Sequence, residues 1–365
     1  MLDARAPPSL HETADPARAM TKYSPNTART EIPSDLAHRI VTGVLTAKGC
    51  PRDIAHQVAD HLIDADRSGV ESHGVWRILP YADYYDSGYL RADARPELRQ
   101  NDRGAWLVNG QGGIGIPAMS LAVRSVIDHA RASGLAAIAL EDVGHTGRLG
   151  AYAEEAARAG CLLIIIGGGG RKDWRLVAPY GGRKALMSTN PYAIGIPGGN
   201  HGPVIVDFAT SAAAAGWVYG ARIAGAQLPE GVIIDRDGHP STDPEAYFNG
   251  GAILTAGGPK GYALSVAAEM IAEAMLGPVR TECNWLMLAL DCSLYQTPTR
   301  MQEIAEEILD ELRTCPPAPG FDSVEVPGER EAHARARNAD RPVSLPTATW
   351  TQIAALAATL KLNLD

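Results

Sequence analysis

The segment Glu71-Ser72-His73-Gly74-Val75-Trp76-Arg77-Ile78-Leu79-Pro80-Tyr81 spaces a histidine, an arginine and a tyrosine four residues apart. On one continuous helix the three would share a face. An arginine fork grips a carboxylate through two parallel N–H bonds, and an imidazole exchanges a proton near neutral pH. Together they suit a substrate whose carboxylate lies beside a group that gains or loses a proton. Ser72 adds a hydroxyl next to His73. The same spacing also fits an exposed helix face with an ordinary His and Arg. A second histidine, His145, lies in the loop Gly144-His145-Thr146-Gly147-Arg148-Leu149-Gly150, just after an apolar run. Active sites of α/β proteins gather in such loops at strand ends. The plain alternative is a loop histidine capping the next helix.

Other segments could serve a ligand. Ser188-Thr189-Asn190-Pro191 reads as a turn offering hydroxyls and an amide. Asp207-Phe208-Ala209 places an acid at a strand end, suited to a ribose hydroxyl or to a helix cap. Gly257-Gly258-Pro259-Lys260-Gly261 puts a lysine at a helix start. The helix dipole disfavours a cation there, and an anionic ligand would explain it; a solvated lysine is the other reading. Gly110-Gln111-Gly112-Gly113-Ile114-Gly115 spells G-x-G-x-x-G between a strand and a helix, yet no second half of a doubly wound sheet follows. Gly167–Gly170 resembles a phosphate cradle; no Ser or Thr follows Lys172, which argues against a P-loop, while backbone approach to a cofactor stays open.

The elements that must hold these residues follow from periodicity. Helices are predicted over residues 35–48, 51–68 and 75–87, making the first hundred residues mainly helical. Strands at 105–109, 135–140, 162–166, 204–208 and 285–290 alternate with helices at 119–133, 151–159 and 262–276, and a strand and turn fall at 231–238. Pro316-Pro317-Ala318-Pro319 breaks the chain before a final helix at 350–361. The first thirty residues are polar and non-periodic and read as a mobile arm. The 365 residues suggest two domains, and 45% hydrophobic content supports a sizeable core. Net charge of −9 argues against nucleic acid. Five scattered cysteines without C-x-x-C give neither a disulfide framework nor a zinc pattern and fit a reducing cytoplasm. No spanning helix and no secretory signal are expected.

The ordered set SHGxxR…Y, GHTGRLGAYAE, APYGG, STNP, DFATS, PEGVIIDRDGHPSTDP, GGPKGYAL and VPGERE, over residues 35–361, resembles the type-2 malate/L-lactate dehydrogenase family. Its hydroxycarboxylate dehydrogenase branch is the most similar. The resemblance implies a non-Rossmann α/β fold, with the Gly110 motif a decoy. A helical domain would come from both chain ends (31–104 and 312–365), an α/β cofactor domain from residues 105–311, and the assembly would be a homodimer. It implies NAD or NADP as cofactor, a small carboxylate as substrate, and no metal. Ser72, His73 and His145 match the catalytic groups. Arg77, with Tyr81 on its presumed face, matches the residue that holds the substrate carboxylate. Cofactor contacts map to Thr146, Gly147, Arg148 and Leu149; to Ser188, Thr189 and Asn190; to Asp207, Phe208 and Ala209; and to Lys260, Gly328, Glu329 and Arg330.

There are departures from the family pattern. Trp217 stands where the imine-reductase branch carries an acid and many hydroxyacid enzymes carry Lys. Residues 275–285 look shortened, which would reshape the substrate side, and Pro259 stands where His is common. The expected activity is hydride transfer between a nicotinamide and a small 2-hydroxy or 2-oxo acid. Reduction of a cyclic imine carboxylate is the alternative. A catalytically inactive nucleotide-binding module is a third.

Overall fold

The computed structural model describes residues 28–223 and 225–363. The expected mobile arm lies outside them, except that Arg29 and Thr30 already belong to a strand. The elements run β1 (Arg29–Ile32), α1 (Ser34–Ala47), α2 (Arg52–Arg67), two 3-10 turns (Glu71–His73 and Val75–Arg77) and α3 (Ile78–Asp86). Then come β2 (Glu97–Gln100), β3 (Trp106–Gly113), α4 (Gly115–Ser133), β4 (Leu135–Val143), α5 (Leu149–Arg158) and β5 (Cys161–Gly168). β6 (Pro191–Ile196), β7 (Val204–Ala209), α6 (Ala215–Ile223), β8 (Ile233–Ile234), β9 (Pro240–Ser241), α7 (Pro244–Phe248) and β10 (Ala252–Ile253) follow. The chain ends with α8 (Pro259–Glu269), β11 (Cys283–Asp291), α9 (Pro298–Arg313), α10 (Glu329–Arg337), β12 (Val343–Pro346) and α11 (Thr347–Thr359). No helix is long and apolar enough to cross a membrane.

Seven strands form the central sheet in the order β2-β3-β4-β11-β5-β6-β7. Only β3 and β4 are parallel; every other pair is antiparallel. A doubly wound dinucleotide fold has a mostly parallel sheet, so the fold is mixed α/β and not Rossmann. The G-x-G-x-x-G stretch is mostly strand. Its register against β4 slips between Asn109 and Gly113, where Gln111 and Gly112 take positive φ. A Cβ at Gly110 would collide with Val143 on the neighbouring strand. A bulge beside a close strand contact explains these glycines without a ligand.

Three large apolar clusters hold the fold, with a small fourth around Ala178, Ile234 and Ala252. The first joins α1, α2 and α3 to Val343, Leu345, Ile353 and Ala357 from the far end of the chain. β1 pairs with β12, Ile32 facing Val343, and fixes the two ends together. α2 illustrates the cause: Ile54, Val58 and Leu62 recur every fourth residue and are buried, each stabilising the fold by about 1.5–3 kcal/mol. The second cluster lies between the sheet and α4 and α5. The third, around Val177, Val218, Ile233 and Ile253, sits beneath the small β10-β8-β9 sheet.

One helix differs in character from the sequence expectation. The helix foreseen at 262–276 is α8 followed by a π-helical turn, Met270–Met275. Pro259 opens α8 after Gly258 at φ 61°, the position where proline costs no hydrogen bond.

Candidate active site

The one-helix reading of His73, Arg77 and Tyr81 needs correction. Gly74 is extended (φ −87°, ψ −163°) and splits the segment into two 3-10 turns before α3 begins. The cause is Asp66 at the end of α2. Its Oδ2 accepts the Val75 N–H at 2.8 Å, and a Cβ at Gly74 would run into its carboxyl. The side chains converge nonetheless. Tyr81 Oη lies 2.7 Å from His145 Nδ1. The His73 and His145 rings stack at 5.3 Å between centroids. Ser72 Oγ lies 2.9 Å from His73 Nδ1. Arg77 donates through Nε to the Ser72 carbonyl at 2.8 Å. Its two terminal amino groups have no hydrogen-bond partner among the described residues. The fork is therefore oriented and left open.

The loop carrying His145 is built by its glycines. Gly115 N–H donates to the His145 carbonyl at 3.0 Å, and Gly144 N–H to Gly113 O at 2.9 Å. Gly147 has φ +72°, and a Cβ there would strike His61. Gly147 N–H also donates to His145 Nδ1 at 3.3 Å. With that bond and the Tyr81 hydroxyl both at Nδ1, Nδ1 accepts and Nε2 carries the ring proton. His145 caps no helix: α5 starts at Leu149 behind Arg148, without a side-chain cap.

Burial dominates the electrostatics. It pushes His73 down to about 3, with Arg77 adding to the effect. Burial, then Arg77 and His73, hold His145 well below its ordinary value. Both rings are neutral at pH 7, the form that accepts a proton. Desolvation also raises Tyr81, so it stays a hydroxyl.

The structure adds a group absent from the sequence expectation. Glu282 opens the β11 edge of the site, its N–H bonded to Val143 O at 3.2 Å, two residues before His145. It feels the charge of Arg77 and interacts with Tyr81, Tyr84 and Tyr89. Burial pushes it up to about 7 against the pull of Arg77. Its only sequence signal was its place inside the shortened 275–285 segment.

The residues mapped to a cofactor are mostly engaged with the protein itself. Arg148 is 4% exposed and its guanidinium pairs with Asp64 at 2.8 Å. Its N–H donates to His61 Nε2 at 2.8 Å. Thr146 is buried, and its carbonyl accepts from Tyr152. Ser188 N–H and the Asn190 amide both point to Glu269. The Thr189 carbonyl accepts from Thr210. Asp207 Oδ2 takes the Gly150 N–H at 2.7 Å, capping α5 from across the sheet. Phe208 stacks on Tyr192, and Ala209 pairs with Pro191. Glu329 is held by Arg313 and Val326 N–H, and exposed Arg330 pairs with Glu331. Gly328, at φ +100°, turns the chain into α10. Among the described residues, the groups without a protein partner include exposed Lys260 at the start of α8, the second oxygen of Asp207, and Asn190 Oδ1, which is buried. The Gly167–Gly170 stretch is closely packed by the protein itself. A Cβ at Gly167 would hit the Trp285 ring, at Gly168 the backbone of Ala268, and at Gly169 Val279. Trp217 packs against the third core, beside Val218.

A mixed seven-stranded sheet, with two stacked, half-buried imidazoles and an arginine beside them, forms a site unlike that of the doubly wound dinucleotide-binding folds. The family model "Malate/L-lactate dehydrogenase" matches residues 32–354, and the chain belongs to that family. It is 32% identical to L-sulfolactate dehydrogenase of Methanothermobacter thermautotrophicus, over 90% of this chain and 96% of that one. It is 33% identical to L-lactate dehydrogenase of Cupriavidus necator, over 89% and 97%. The crystal structure of delta1-piperideine-2-carboxylate reductase from Pseudomonas syringae superposes with a TM-score of 0.78 at 28% identity, covering 90% of this chain and 100% of that one.

Proposed function

We propose that the protein interconverts a small 2-hydroxy acid and its 2-oxo acid, with a nicotinamide dinucleotide as redox partner. The observation that carries this is the open Arg77 fork, anchored through Nε and aimed beside two neutral, stacked imidazoles. Lys260, Asp207 and Asn190 offer a cation, a hydroxyl acceptor and a buried carbonyl of the kinds a dinucleotide needs. When bound, the nicotinamide supplies or takes the hydride. The protein's residues do the rest. Arg77 holds the carboxylate in a bidentate grip. His145 offers its Nε2–H to the substrate oxygen and polarises it. His73 takes the hydroxyl proton when the 2-hydroxy acid is oxidised and returns it to the carbonyl oxygen on reduction. Ser72 orients His73, and Tyr81 orients His145. Burial keeps both rings in the neutral form that suits the oxidation direction.

The test is absorbance of the reduced nicotinamide, with NADH and NADPH, against a panel of 2-oxo acids and a cyclic imine carboxylate. Turnover of 2-oxo acids is expected. Turnover of the imine alone would install the second reading, which the relationship to the reductases supports and which Trp217 weighs against.

A further inference from the structure

The substrate carboxylate accounts for Arg77 but not for what faces it. Glu282 lies at the end of β11 that adjoins the His145 loop. Among the described residues its carboxyl makes no hydrogen bond or ion pair, although Arg77 is close enough to act on it. Three rings share this side. Tyr84 and Tyr89 lie 5.1 Å apart between centroids. Trp174 meets Tyr89 edge-on at 6.5 Å and donates its Nε1–H to Tyr89 Oη at 3.3 Å. The turn bearing Trp174 is fixed by its N–H on Gly170 O at 2.7 Å, and Gly170 in turn packs against the Glu282 carbonyl. Tyr84, Tyr89 and Glu282 influence one another electrostatically.

A carboxyl that shares one side of a site with a cluster of aromatic rings suits a cation: the rings attract it through their quadrupoles and the acid neutralises it. A second anion in the same place would confront a like charge in a desolvated setting. Burial already pushes Glu282 up to about 7, and a neighbouring cation would relieve that cost.

We propose that Glu282, with Tyr84, Tyr89 and Trp174, forms the seat for the far end of the substrate and selects a 2-oxo or 2-hydroxy acid whose side chain ends in a cationic nitrogen group. The chain would then be distinguished from its relatives named for sulfolactate, whose far end is an anion. The inference rests on the proposed 2-hydroxy acid chemistry. It is tested by kcat/KM for three 2-oxo acids: 5-guanidino-2-oxopentanoate, pyruvate and oxaloacetate. The guanidino acid is expected to exceed pyruvate at least 10-fold, with oxaloacetate lowest. Glu282→Gln is expected to bring the guanidino-to-pyruvate ratio close to one, and Glu282→Lys to raise oxaloacetate above the guanidino acid. Tyr89→Leu should lower the same ratio by a smaller factor, a check that does not depend on Glu282 variants folding. Equal or better turnover of oxaloacetate by the wild-type protein overturns the inference and leaves the proposed function standing. So does an unchanged ratio in Glu282→Gln. No turnover of any of the three acids overturns both.

Discussion

The two sides of the presumed cleft are built differently. At the seam between helices and sheet, His73, Arg77, Tyr81 and His145 contact one another and leave donor and acceptor capacity unspent. On the side proposed for the cofactor, Arg148, Ser188 and Glu329 bond to the protein's own backbone and charges, and Asp207 spends one of its two oxygens there. The difference teaches that chemistry is concentrated where two layers meet. The motif-bearing loops mainly shape the backbone around it. Substitution at the seam should therefore change rate, and substitution in the loops should change stability first.

The largest expected effect is at the seam. His73→Ala should lower kcat by about 10²–10⁴-fold, the usual worth of a positioned proton-transfer group, in the nicotinamide-absorbance assay. His145→Ala should fall in the same range, and full activity in both would remove the seam from catalysis. Arg77→Lys comes next. It keeps the charge but loses the fork, and a loss of about 10–100-fold in kcat/KM follows from one charged hydrogen bond. The loss should appear in KM more than in kcat, and an unchanged KM would contradict the carboxylate seat.

Gly147→Ala breaks the comparison from the loop side. It forces a Cβ onto His61 at a positive φ, a strain of about 1–3 kcal/mol. A fall in melting temperature larger than the loss of kcat is expected, and a wild-type melting point would refute the packing account.

A pH dependence tests the packing without touching the candidate chemistry. Burial pushes the Asp66 carboxyl up to about 8 from an ordinary 3.8. A raised folded value means that the folded state keeps its proton while the unfolded chain loses it. Stability from this group is therefore full below 3.8 and is lost as pH rises toward 8. Asp66→Asn removes that loss, so its melting temperature should gain on wild type steadily across this window. The buried histidines act oppositely. His61 and His73, pushed down to about 4 and 3, contribute stability above 6.5 that is lost as pH falls.

Much of this was legible in the sequence. The apolar periods placed α1, α2, α4, β4, β5 and β11 because each has one face or both in a dry core. The His73–Tyr81 spacing pointed to side chains that do converge, but for a wrong local reason, since Asp66, not helical period, sets their geometry. α6, α9 and α10 gave no expectation. α9 nonetheless carries a legible apolar stripe at helical spacing, Met301, Ile304, Ile308, Leu309 and Leu312, and two of its members, Ile308 and Leu312, are exposed. Glu282 was invisible because only the register of β11 on β4 brings it to the site. Among the glycines of these clusters, Gly167 and Gly147 make room for Trp285 and His61, and close packing and ligand approach demand the same residue, so the sequence does not separate the two.

The central claim is that Arg77 seats a carboxylate beside the two imidazoles. It is met most directly by comparing kcat/KM for a 2-oxo acid with that for its 2-oxo amide, in wild type and in Arg77→Met. The account predicts that wild type prefers the acid by at least about 100-fold, the scale of a charged bidentate contact, and that Arg77→Met abolishes the preference. Equal turnover of acid and amide by the wild-type protein would contradict it.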